Sequence, residues 1–228
     1  MTSRTLIPAL AAIFLSAVAT MTAQPADGDL PPLVGHIQDK SYVSPSGAFR
    51  VEIPVLPELG GVVTDTENVV TFQDGVATHD SIACFTMDAT QRWEDETRGR
   101  KDYLVWFFTN TVHSDFQQRF PGAKIESAKF RPGVMDGALI TFTLLPGGSM
   151  FADRVTISGG DEPPVAKRGN LLFVRNERVY IISIELAEKV LERSTWDKKP
   201  AQEDEVLTKR LLDLLAKISY TTPPKAAK

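Results

Sequence analysis

The chain has 228 residues, 43% of them apolar and 24% charged, with a formal net charge of −4. That balance suits one globular core; the mild acidity argues against broad attraction to nucleic acid or an anionic membrane. Cys84 is the only cysteine, so no intrachain disulfide is available and folding rests on burial.

The first segment reads as a secretory signal peptide over residues 1–23. Arg4 is its one charge, Leu6–Val18 is apolar apart from Pro8 and Ser16, and cleavage fits after Ala19 or Ala23. The apolar run is short for a membrane span, so no stable membrane insertion is expected once the leader is gone. No cysteine follows it at a lipidation position. The expected location is periplasmic or secreted. Residues 24–41 carry Pro25, Gly28, Pro31 and Pro32 without periodicity and read as an extended lead-in.

The folded part is expected over 42–222, with a tail at 223–228. Phe49–Ile53 alternates apolar and charged residues and reads as a strand; Val62–Val63 and Asn68–Phe72 are shorter candidates. Asp74-Gly75 marks a turn, and Ser81–Met87 is a further strand. Gln91–Lys101 is dense in charge and loop-like. A helix is expected over about Arg98–Phe120, because Leu104, Phe108, Val112, Phe116 and Phe120 recur every fourth residue. Thr97 or Asp95 would cap it and Pro121-Gly122 would stop it.

Lys124–Phe130 and Ala138–Leu145 read as paired strands, and Met150–Ile157 as an edge strand. Leu171–Val174 and Arg178–Leu186 pair across Asn176-Glu177. Val179–Leu186 is apolar on both alternating faces through Ile184, which calls for a central strand covered on each side. Ala187–Ser194 fits a helical turn or an irregular excursion equally. The last helix is expected over about Glu203–Tyr220. The fold class is therefore α+β: an α/β/α sandwich with a mostly antiparallel sheet of about six to eight strands and a long helix on each face. No internal repeat and no second domain is visible.

No chemical signature emerges. His36, His79 and His113 lack ligand spacing, and no metal site or cofactor is expected. Asp74, His79 and Asp80 read as a polar turn, with a weak metal site as the rival, and Glu94, Asp95 and Glu96 as a solvated loop, with a site for a hard cation such as calcium as the rival. Cys84 reads as a buried small apolar residue, with a cysteine–histidine nucleophile as its rival. No catalytic residue is assigned. Trp93 and Trp196 sit among charged residues; each either anchors a protein partner or folds back over the rim of the core.

Tyr42–Pro54, reading Tyr-Val-Ser-Pro-Ser-Gly-Ala-Phe-Arg-Val-Glu-Ile-Pro, resembles the opening of the PsbP-like superfamily. The order of elements that follows, an aromatic-rich helix, a meander and a C-terminal helix, is similar to it as well. The resemblance implies an α/β/α sandwich. It groups the chain with extrinsic subunits of the photosynthetic water-oxidising complex, Ran-binding Mog-type proteins and bacterial secretion adaptors, chiefly binding or assembly modules without a shared catalytic set. The expectation is an exported, non-catalytic module acting through an unidentified protein partner. The alternatives are a carrier of a small apolar ligand lined by Phe142, Phe151 and Phe173, and an extracytoplasmic hydrolase built on Cys84 and His79.

Overall fold

A computed structural model describes residues 31–149, 151, 164–192 and 194–221. The leader, the start of the lead-in, the expected strand Met150–Ile157 apart from Phe151, the Gly159-Gly160 loop and the tail lie outside the described residues.

In chain order the elements are β1 (His36–Gln38), β2 (Ser41–Val43), β3 (Phe49–Glu52), a 3-10 turn at Pro57–Leu59, β4 (Val62–Asp65), β5 (Val69–Gln73) and β6 (His79–Thr86). Then come α1 (Ala89–Arg98), α2 (Arg100–Phe107), a π-helical turn (Phe108–His113) and α3 (Ser114–Arg119). They are followed by β7 (Lys124–Arg131), β8 (Ala138–Pro146), β9 (Val165–Arg175), β10 (Arg178–Glu185), α4 (Ala187–Leu191), α5 (Pro200–Ala216) and β11 (Ile218–Tyr220).

The main sheet is antiparallel throughout, in the order β4-β5-β6-β10-β9-β8-β7. β10 is its middle strand, as two-sided apolarity requires. Tyr180, Ile182 and Ile184 pack with Leu207, Leu211 and Leu214 of α5. Val179 and Ile181 pack on the other side with Leu104, Phe107 and Phe116. The helices thus cover opposite faces. Asn176 and Glu177, at φ 51° and 55°, turn β9 into β10 with the left-handed pair that a two-residue hairpin needs. Gly169 lets α5 lie close to the sheet: a Cβ there would stand 3.0 Å from Leu211 Cδ1 and 3.1 Å from Leu207 Cβ.

Several boundaries differ from those expected. The helical run begins at Ala89 and is capped by Asp88, whose Oδ1 accepts from the Gln91 amide at 2.8 Å while the Gln91 side chain accepts from the Asp88 amide at 3.1 Å. This reciprocal box makes the charge-dense stretch helical. Gly99, at φ 78°, then breaks the run, so the expected single helix is α1 followed by α2, the π turn and α3. α5 starts at Pro200, suited to a first helical position, and stops at Ala216.

The residues beyond α5 are extended because Ile218–Tyr220 pairs with Val51–Phe49. That makes a second sheet, β1-β2-β3-β11, where one sheet was expected. The lead-in is tied to it and to β4. Asp65 accepts from the amides of Val34 (2.9 Å) and Gly35 (2.7 Å) and from the Tyr42 hydroxyl (2.7 Å). Ala187–Leu191, left open by the sequence, is a short helix.

Candidate functional site

A cleft of about 260 Å³ opens where β6 begins and β10 ends, under the last turns of α5. β6 starts at His79, and alternation along it places Asp80 on the same face as Ile82 and Cys84, toward α5. Asp80 lies across from Ile184 on β10 and Phe72 on β5. One wall is the turn after β5. It is fixed by Asp74, whose Oδ1 accepts from the amides of Val76 (2.8 Å), Ala77 (2.8 Å) and Thr78 (2.9 Å). The other wall carries Arg210, Asp213 and Lys217.

Most of these charges are already matched. The Arg210 guanidinium forks onto both oxygens of Glu188 on α4, and Lys209 meets Asp213 at 2.6 Å. Asp80 differs: among the described residues it has no hydrogen-bond donor and no ion pair. Burial pushes its carboxyl up to about 7; Arg210 and Lys217 pull it down, Asp74 pushes it further up, and burial prevails.

The chain next to the lining residues Pro54 and Ala77 carries exposed apolar side chains. Leu56, Leu59 and Val76 are 52%, 47% and 51% exposed. They are held stiffly. Leu56 O accepts from the amides of Leu59 (3.0 Å) and Gly61 (2.9 Å), and Leu59 O accepts from Gly75 (3.0 Å), which joins the 3-10 turn to the Asp74 turn. A Cβ on Gly61 would fall 2.5 Å from Leu56 O, so only glycine permits this closure.

The opposite face of the same strand ends holds a second polar group. His79 Nδ1 lies 3.3 Å from Glu185 Oε2 and 2.9 Å from Arg168 Nη2, and the Ser149 hydroxyl donates to Glu185 Oε1. Burial and the Arg168 charge hold the imidazole below its ordinary value against Glu185. Burial alone would raise Glu185, but His79, Arg168 and Ser149 hold it low. Serine and histidine both touch the carboxylate rather than each other. The serine–histidine contact that activates a hydroxyl is therefore not made here.

A third group is closed. Lys167 is fully buried, and its Nζ meets Glu126, Asp204 (2.7 Å) and Glu203 (3.0 Å), with Pro200 O at 3.3 Å. Glu203 also accepts from Lys189 (2.6 Å) and from Trp196 Nε1 (2.8 Å). Burial would lower the Lys167 ammonium, but the carboxylates raise it. Burial would raise Glu203, but its three donors hold it low.

The residues singled out by sequence are dispersed. Cys84 is buried in the α5-side core, and its thiol is pushed up by burial. It lies on the opposite face of β6 from His79, roughly 17 Å along the strand. His113 is buried on the π turn and stacks on Phe108, while His36 is on exposed β1. Glu94 and Asp95 are on α1, paired with Arg98 and Arg100. Trp93 is 59% exposed on α1; Trp196 folds back, bonding Glu203 and packing on the α5-side core. Phe142 and Phe173 belong to one core cluster and Phe151 to the other, all buried, so they line no shared pocket. Lys167 was not picked out by sequence reasoning, and Asp80 was named there only with the polar turn of Asp74 and His79. The only signal for either was a charge in a strand position that alternation sends inward.

Among the described residues, no group of three or more histidine, cysteine, aspartate or glutamate side chains is arranged to hold a metal ion. No helix among them is long and apolar enough to cross a membrane.

No protein-family model matches the chain, and no curated protein matches it in sequence. Solved structures do. The chain is similar to the solution structure of cyanobacterial PsbP from Synechocystis sp. PCC 6803, at 13% identity, with 82% of this chain and 96% of that one covered and a TM-score of 0.49. It is also similar to the Ran-binding protein Mog1p of Saccharomyces cerevisiae, at 13% identity, 82% and 97% coverage and a TM-score of 0.42. The likeness is one of fold.

Proposed function

We propose that this protein is an exported, non-catalytic binding module that docks a protein partner on the apolar rim of the Asp80 cleft. The observation that carries this reading is the stiff display of Leu56, Leu59 and Val76 beside a polar recess. Exposed apolar side chains that are scattered singly need no explanation, but grouped ones mark contact sites. Side chains on a pre-ordered backbone lose less freedom when covered, so more of their burial contributes to affinity. Trp93 on α1 offers a second, separate contact; Trp196 is engaged by Glu203. Export rests on the leader-like residues 1–23.

A photo-cross-linking side chain placed at Leu59, at Trp93 and at exposed Lys101 tests the docking face. Position 59 should yield one discrete adduct in cells of the source organism, and position 101 none. Equal labelling at all three positions, or none at 59, would refute it. Export is checked by fractionation and by sequencing the mature N-terminus, which should begin after Ala19 or Ala23.

A further inference from the structure

We infer that the cleft receives a cationic side chain of the docked partner, an arginine or a lysine, with the Asp80 carboxylate as its acceptor. The inference rests on the docking face proposed above, which would bring such a side chain to the mouth of the cleft.

Three observations support it. The first is size. At about 260 Å³ the cleft falls below the roughly 300–1,000 Å³ of pockets that enclose whole drug-sized ligands, so it suits one side chain of something held outside it. The second is the unmet acceptor. Every other carboxylate of the cleft has donors: Glu188 has Arg210, Asp213 has Lys209, and Glu185 turns to His79, Arg168 and Ser149 on the far face. Asp80 alone has none among the described residues. A half-buried carboxyl without a donor is costly to ionise, and a donor from outside removes that cost.

The third is the surrounding charge. The groups that face Asp80 are Arg210 and Lys217 from α5 and its end, Asp74 from the neighbouring turn, and Glu188 from α4. Arg210 is bound to Glu188, so that pair is near neutral as a unit. Lys217 is exposed and free to swing into water. Both cations pull the Asp80 carboxyl down from a distance, without a hydrogen bond to it among the described residues, and burial outweighs them. An ammonium or guanidinium in contact would hold the charged form and release a proton on binding.

The test is an NMR titration of the isotope-labelled protein with N-acetyl-arginine methylamide, against N-acetyl-glutamate methylamide as the anionic arm. The arginine probe should move the amides of Thr78, Ile184 and Leu214. Its affinity should rise as the pH is taken from 6 to 8. Asp80→Asn should weaken it roughly tenfold. A response to the glutamate probe instead, an unchanged response in Asp80→Asn, or no response to the arginine probe would overturn the inference. A shortened aspartate-free variant is not needed, because asparagine keeps the shape of the site. The two readings fail separately. If cross-linking at Leu59 survives but the arginine probe does not bind, the cleft assignment falls and the docking face stands; the reverse result removes the docking face alone.

Discussion

Lys167 and Asp80 occupy the same layer of the molecule, between the main sheet and α5, yet they are opposites. Lys167 sits among three carboxylates and a carbonyl, and Lys189 and Trp196 add further donors to Glu203. Asp80 stands at the end of an apolar strand face with no donor. A buried charge that is fully met holds elements together: β7, β9, α4, α5 and the Trp196 segment all converge on the Lys167 group. A carboxyl left unmet at the mouth of a cleft stabilises nothing by itself. Its chemistry is directed outward.

The largest expected effect comes from breaking the closed group. Lys167→Met leaves Glu126 and Asp204 without their ammonium and should cost about 3–5 kcal/mol in urea unfolding. Next is Asp80→Asn, with the opposite sign. Burial pushes the Asp80 carboxyl up to about 7 in the folded state from an ordinary 3.8, so the folded state holds a proton that the unfolded state gives up between those values. Stability from that proton is present at low pH and lost as pH rises to about 7. Asparagine should therefore stabilise the protein by about 1–3 kcal/mol at pH 8 and leave it unchanged at pH 4. Glu203 runs the other way, since its folded carboxyl is held low. What it contributes is present above its ordinary value and lost on acidification, so the two regions divide the pH scale between them.

Trp196→Phe removes one of three donors to Glu203 and should cost about 1–2 kcal/mol. The smallest effect on folding is at the rim. Leu59→Ser should stay within about 0.5 kcal/mol of the parent while weakening partner capture. A large loss of stability there would show that Leu59 belongs to the core.

The central strand was legible because Val179–Ile184 is apolar at every position but Ser183, and both covering faces followed from the leucine and aromatic stripes. The helix start was missed because the apolar stripe begins at Leu104, whereas the signal that decides it is polar: Asp88 with Gln91 three residues on. The second sheet had no local signal, since Phe49–Val51 finds its partner at Ile218–Tyr220, near the far end of the described chain. Asp80 was read as part of a turn because His79-Asp80 is polar. The strand begins at His79 nonetheless, since Gln73 and Phe72 pair with it from β5. The rim was not legible at all: its two halves, Leu56–Leu59 and Gly75–Val76, meet only through the Gly75 amide.

The pairing of β11 with β3 bears on how the molecule is made. A growing polypeptide leaves the ribosome in order, and Phe49 waits there for a complement that follows every strand of the main sheet in the chain. The main sheet needs none of β11 and can form before it arrives. Closure of the small sheet, sealed by the Thr221 amide donating to Ala48 O at 3.1 Å, is then a late event, set by synthesis rather than by the speed of the strands themselves.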